Sequence, residues 1–339
     1  MAAWILTRSQ STREGLQPFD PRRDLRQVAE LVGSVFAQEL DASGRSAVQE
    51  MRAVGRFSPF LGNVLSLALF EDFVSGYVWI AHGQVVGNVT LQRADAGGTR
   101  WRISNVAVVP DYRRRGIAHE LMTAALREIA FHGGSWAVLQ VRVDNPGARQ
   151  MYENLGFADV CQDGIWKLSL VPDRLPGYDP RIHLEPLRIT SWEDRLELAR
   201  AARSPLAQWA SPLHQADYQF SLSQLLGEFL GNLTGFSQVE RWGSRDGTNL
   251  IGAVETHSSI TGNAHTLRFS VRPEARGQLE SALVARGLQS LAGMARRPVI
   301  AEHSGDHTEG VAALEAAGFR AQRVLLTMRR VMSPADTEL

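Results

Sequence analysis

Val108-Val109-Pro110-Asp111-Tyr112-Arg113-Arg114-Arg115-Gly116-Ile117-Ala118 is the stretch on which the fold of this chain turns. An apolar strand ends at Val109-Pro110, and the spacing of Leu121, Ala125, Ile129 and Ala130 predicts a helix from about Gly116 to His132, stopped by Gly133-Gly134. The first turn of a helix leaves several backbone N–H groups without intrahelical acceptors, and such groups face and hold anions. Gly116 and Ala118 lack the bulk that would keep a pyrophosphate away from those donors, and the arginines add positive charge. Taken alone, the motif reads equally well as a tight strand–helix turn with solvated arginines.

Upstream, Gly76 to Ala81, His82-Gly83 and Gln84 to Leu91 have the alternation and two-residue turn of a β-hairpin, and a turn over Ala94 to Gly98 leads to a strand from Trp101 to Val109. Three antiparallel strands are expected. Before them, Leu16 to Phe19 suggests an edge strand, and Asp24 precedes a helical pattern through Leu25, Val28, Leu31, Val32, Val35 and Phe36. Ser46 to Val54 suggests a second helix, followed by an apolar segment from Pro59 to Phe73. Downstream, Trp136 to Val143 is a branched apolar run and so a buried strand, and Pro146 opens a helix that Gly156 stops. Closing strands run from Phe157 to Leu170. The order is β-α-α-β-β-β-α-β-α-β-β.

Asn145, Ala148 and Tyr152 stand in the pattern N-x-x-A-x-x-x-Y directly after the buried strand, with Leu155-Gly156-Phe157 behind them. With R-x-x-G-x-A ahead of them at the right order and spacing, residues 14 to 170 resemble the GNAT (GCN5-related N-acetyltransferase) family. The resemblance implies an α+β fold with a mixed, mostly antiparallel sheet flanked by helices. It implies acetyl-CoA as the acyl-donor substrate and no metal. Val106, Ala107 and Val108 would pair with the pantetheine arm. Arg113, Arg114, Arg115, Gly116, Ile117, Ala118 and His119 would hold the pyrophosphate, and Asn145 would contact the arm. Tyr152 would protonate or hydrogen-bond the departing thiolate. The expected reaction is direct transfer of an acetyl or short acyl group to a primary amine, of a small molecule or a peptide.

No residue is assigned as base. In the branch of the family that acetylates protein N-termini a Glu lies twelve residues before the tyrosine, and here that place holds Gln140. Glu71-Asp72 and His132 read as well as a solvated loop pair and a helix-end imidazole. Helices one and two with the Pro59 to Phe73 segment would shape the acceptor pocket, Phe57, Phe60, Phe73 and Tyr77 offering an apolar wall. The alternative is a non-catalytic acyl-CoA-binding or regulatory module.

Val171 to Pro180 carries three prolines and a glycine, a linker composition, and beyond it the order starts again. Val271-Arg272-Pro273-Glu274-Ala275-Arg276 echoes Val108 to Arg113, and Ala313 to Phe319 echoes Met151 to Phe157. The expected domains are 14–171, a linker at 172–181, and 182–331. In the second copy Arg276 to Ser281 lacks the glycine matching Gly116 and reads as one residue shorter; Leu314 takes the place of Tyr152 and His307 that of Asn145. That copy reads as degenerate, kept for structure, homodimer contacts or an acceptor-site wall. His303, Asp306 and His307 fit no metal-binding helix face and read as a polar loop.

The chain's 339 residues suit two domains, and 44% apolar with 21% charged residues suit packed cores. Lys+Arg and Asp+Glu are both 36, so the overall charge argues for neither nucleic acid nor an anionic membrane as partner. Cys161 is the single cysteine, which excludes an intrachain disulfide and suits a reducing cytoplasm. The opening Met1 to Leu6 is too short for a secretory signal, and no run reaches the ~20 apolar residues of a membrane span. A cytoplasmic protein is expected.

Overall fold

A computed structural model describes residues 14–37, 49, 75–95, 97–175, 177–221, 223, 225, 226, 228, 231, 237–259 and 263–337. They form two compact units. The first takes in residues up to 140 with 147–158 and 328–339; the second takes in 141–146 and 159–327.

In the first unit β1 (Gly15–Pro18) pairs antiparallel with β2 (Ser75–Ala81), from Gly15↔Ile80 to Pro18↔Tyr77. Helix α1 (Pro21–Val35) begins ahead of the expected Asp24. Asp20 is its N-cap, accepting from the Arg22 N–H, Pro21 supplies the preset φ of a first helical residue, and Asp24 is buried with its carboxylate on the Asp20 N–H. Of the expected second helix only Gln49 is described; Phe57, Phe60, Glu71, Asp72 and Phe73 lie outside the described residues.

Strands β2, β3 (Gln84–Arg93) and β4 (Arg100–Val108) form the expected meander. Alternate burial along β2 puts Val78 and Ile80 against Val28, Leu31 and Val32 of α1. A short 3₁₀ turn, Pro110–Tyr112, leads into α2 (Ile117–Phe131), which buries Leu121, Met122, Ala125, Leu126 and Ile129. Then come β5 (Trp136–Arg142), parallel to β4, and α3 (Pro146–Asn154), giving the strand order β1-β2-β3-β4-β5. Residues 328–337 complete the unit. Met332 N–H donates to the Ser135 carbonyl at 2.9 Å, Asp336 pairs with Arg330 and accepts from the Ser333 N–H, and the 3₁₀ turn Pro334–Thr337 packs on α2.

One strand, β6 (Ala158–Leu168), replaces the two expected after Phe157. Gly164 does not break it, because the Trp166 ring lies back over the glycine, 2.5 Å from where a Cβ would stand. Residues 159–168 count with the second unit, where β6 pairs antiparallel with β11 (Val299–Ser304) from Asp163↔Ser304 to Leu168↔Val299. That unit continues through β7 (Glu185–Pro186), α4 (Trp192–Ala201), α5 (Pro205–Ala210), β8 (Ser237–Asp246), β9 (Asn249–Ser259) and β10 (His265–Val271). Helix α6 (Glu280–Leu291) precedes β11, and α7 (Thr308–Ala316) and β12 (Arg320–Val331) follow. The order is β12-β6-β11-β10-β9-β8-β7, with β10 and β11 parallel as β4 and β5 are. Both copies are thus mixed, mostly antiparallel sheets flanked by helices, as expected. Cys161 is buried and burial pushes its thiol up, which suits a structural role. Among the described residues no helix is long and apolar enough to cross a membrane.

Candidate functional site

The ladder between β4 and β5 covers Arg100↔Trp136 to Arg102↔Val138, and among the described residues no pairing joins the two strands beyond it. The backbone groups of β4 that point toward β5 from Ile103 to Val108 therefore lack a strand partner, which suits them to pair with an extended ligand arm. Here β4 also bulges. Ser104 pairs with Thr90 and Ala107 with Asn88, so Asn105 and Val106 together oppose Val89, with Asn105 at φ 52°. Asn88, 1% exposed, holds the bulge: its Nδ2 donates to the Asn105 carbonyl at 3.0 Å and lies 3.2 Å from Thr90 Oγ1. The sequence reading missed Asn88 and Asn105. The available signal was a polar Ser104-Asn105 pair inside an apolar strand, since Asn tolerates positive φ.

At the end of β4 the Val109 N–H donates to Val86 and the Arg113 N–H to Pro110, closing the turn. Arg113 Nε donates to the Val108 carbonyl at 3.0 Å, and Arg115 bonds the Asp111 carbonyl while lying over the Tyr112 ring. Both brace the turn. Arg114 sits at φ 61° and Gly116 at φ 82°, and these two left-handed residues bend the chain into α2. None of the six backbone N–H groups from Arg114 to His119 donates to an acceptor among the described residues. A Cβ on Gly116 would meet nothing within 4 Å, so the ground in front of these donors is open. The observed turn fits a bound pyrophosphate.

Tyr152 lies on α3 in the same unit, 5% exposed, with its ring edge-on to Phe157 at 6.0 Å. Burial pushes its phenol up to about 12, so it carries its proton throughout the neutral range. Asn145 N–H donates to the Arg142 carbonyl, and the residue falls in the 141–146 segment that counts with the second unit. His132 and Tyr77 are not at the turn. Both bond Glu128 near the far end of α2, the Tyr77 hydroxyl at 3.0 Å and His132 Nε2 at 3.2 Å, and the Tyr77 phenol is pushed up to about 12 by burial and that carboxylate. Tyr77 is thus a polar tie to α2 as much as a piece of apolar wall.

In the second unit the corresponding turn runs from Arg276 to Glu280 at the start of α6, as many residues as Arg113 to Ile117 at the start of α2. The expected shortening is therefore corrected: Gly277, φ 78°, takes the place of Arg114, and Leu279, φ −108°, that of Gly116. His303 and His307 face each other, and the Asp306 carboxylate turns instead to the Gln162 N–H.

Residues 48–157 match the family model described as "Acetyltransferase (GNAT) family". N-alpha-acetyltransferase MAK3 of Arabidopsis thaliana is 37% identical over 105 residues, 29% of this chain and 54% of that protein. Mycothiol acetyltransferase of Corynebacterium aurimucosum is 28% identical over 102 residues, 27% of this chain and 33% of that protein. The chain thus spans about half or less of the length of these curated relatives. A tandem GNAT protein from the clavulanic acid biosynthesis pathway shares the fold at 18% identity and a TM-score of 0.52, over 94% of this chain and 98% of that one. A GCN5-related N-acetyltransferase from Sphaerobacter thermophilus does so at 15% identity and 0.56, over 94% and 96%.

Proposed function

Because the chain belongs to the GNAT superfamily, we propose that its first unit, with the C-terminal segment that completes it, moves an acetyl or other short acyl group from acetyl-CoA to a primary amine by direct attack. The observation that carries this is the turn at Arg114 to His119, whose six backbone donors are unclaimed beside an open face. Acetyl-CoA supplies an acyl group already activated as a thioester. The amides of Arg114 to His119 hold its pyrophosphate, and the edge of β4 at Val106 to Val108, which has no strand beside it, orients the arm. Tyr152 keeps a proton on Oη at neutral pH, where it serves the departing sulfur.

Among amines, an α-amino group fits best. Gln140 in place of a carboxylate departs from the branch that acetylates protein N-termini, so the preference rests on the acidity of the amine itself. An α-amine, with an ordinary pKa of about 8, reaches its nucleophilic form with far less help than a lysine amine at about 10.4. The name of the Arabidopsis relative points the same way.

The test is release of free CoA thiol from acetyl-CoA with a panel of α-amino peptides, lysine-bearing peptides and small amines. Steady release that is lost in Tyr152→Phe supports the enzyme. Tight acetyl-CoA binding without turnover on any acceptor would instead identify a binding module.

A further inference from the structure

The second copy of the strand–turn–helix keeps the shape of the first, but a carboxylate of its own lies where the first leaves open amides. Glu280, the first residue of α6 and 3% exposed, accepts from the backbone N–H of Gly277 at 3.0 Å and of Leu279 at 3.1 Å. His307 Nε2 lies 2.8 Å from Glu280 Oε1, and His307 Nδ1 lies 3.0 Å from His303 Nε2. The His303 ring stacks on Phe269 with 4.1 Å between centroids. Gly310 makes room for the two imidazoles, since a Cβ there would stand 2.1 Å from His303 Nε2. All these residues belong to the second unit.

The two backbone N–H groups that Glu280 holds match those of Arg114 and Gly116, which the first copy leaves open to an anion. Backbone donors at a helix N-terminus are the usual partners of an anion, and charge-assisted bonds of this kind are among the stronger ones. A tethered carboxylate holds them without the entropic cost of capturing a ligand. In the first copy the matching residue is Ile117, which has no acceptor to offer.

We propose that Glu280 is a resident anion that fills the phosphate cradle of the second copy, so that the second unit admits no CoA and the chain binds a single acyl donor. Although burial pushes the Glu280 carboxyl up, its bonds to His307 and the turn amides hold it below its ordinary value. Burial, with the charges of His307 and Arg276, holds His303 down at about 3. The carboxylate therefore stays charged and the His303 imidazole stays neutral across the physiological range.

This deepens the donor reading above and rests on it only for the first unit. The experiment follows backbone amide resonances of the full chain. On adding CoA, Gly116 and Ile117 are expected to shift and saturate at one equivalent, while Gly277 and Leu279 stay put. Shifts at Gly277 and Leu279 in the wild type, or two equivalents bound, would overturn the proposal. Inorganic pyrophosphate is then added to Glu280→Ala and Glu280→Gln. Glu280→Ala should show shifts at Gly277 and Leu279 at a concentration roughly tenfold or more below any effect in the wild type. A folded Glu280→Ala that takes up no pyrophosphate there would also overturn it. If neither variant folds, the CoA titration of the wild type decides. If CoA moves neither copy, the donor reading fails, and the pyrophosphate arm alone judges the role of Glu280.

Discussion

Arg114 and Gly116 share a left-handed backbone and carry opposite demands. A residue with a Cβ costs roughly 1–2 kcal/mol in that conformation, and glycine does not. Arg114 at φ 61° therefore bears strain that its exposed guanidinium justifies only if an anion arrives. Arg114→Gly is expected to raise the melting temperature of the free protein while weakening CoA binding. A variant that loses both, or neither, contradicts the assignment. Gly116→Ala should cost about 1 kcal/mol in stability and raise the KM for acetyl-CoA with little change in kcat, since the added methyl faces the phosphate rather than the acyl group. With Tyr77, whose phenol is held up as well, Tyr152 carries the alkaline pH dependence. Its folded value near 12 lies above the ordinary 10, so the stability it contributes is fully present below pH 10 and is lost as pH rises toward 12. Thermal melts between pH 9 and 12 should show this loss in the wild type and a flatter profile in Tyr152→Phe, whose kcat should fall about a hundredfold. The left-handed bend at Gly116 was legible in the sequence, because glycine takes that conformation without steric cost. Glu280 was not, because a carboxylate in a helix's first turn ordinarily signals a dipole contact in solvent.

The helices and strands followed from periodicity, and the departures have local causes. Asp24 looked like a helix start because it precedes the apolar stripe, yet Asp20-Pro21 offers the stronger cap and the carboxylate of Asp24 turns back to it. The bulge in β4 was illegible because alternation reports which face is buried, whereas a bulge depends on a partner strand that supplies one residue against two. Asn88 is the partner strand's contribution. Replacing it with Ala removes the donor to the half-buried Asn105 carbonyl, which should cost about 1 kcal/mol. The same change should lower kcat/KM for acetyl-CoA, because Val106 to Val108 lose the backbone path that presents them to the arm. Chemical denaturation and thiol release read the two effects separately. If Asn88→Ala loses stability and keeps full kcat/KM, the bulge serves the fold alone.

Repetition of one element order across the chain was visible in two short echoes, and the observed order of elements repeats accordingly. Sequence could not show which closing segment completes which unit. The strands that end the two copies follow the same template, so β6 and β12 read as equally good endings for either sheet. In the folded chain residues 159–168 count with the second unit, and 328–337 complete the first. The latter are well anchored there: Asp336 is buried against Arg330 and the Ser333 N–H, and Met332 reaches the Ser135 carbonyl. A chain ended after residue 171 therefore lacks part of its own first unit even though it keeps Arg113 to His119 and Tyr152. Such a fragment is expected to give no cooperative melt and no saturable CoA binding. In the full chain Asp336→Ala strips the partner from a partly buried arginine of β12, and removing one member of such a pair costs about 3 kcal/mol. The variant should unfold at lower denaturant than the wild type, and added CoA should recover part of the loss through binding to the folded first unit. A fragment ending at 171 that melts cooperatively and binds CoA with wild-type affinity would show that the C-terminal segment is dispensable to the unit it packs in.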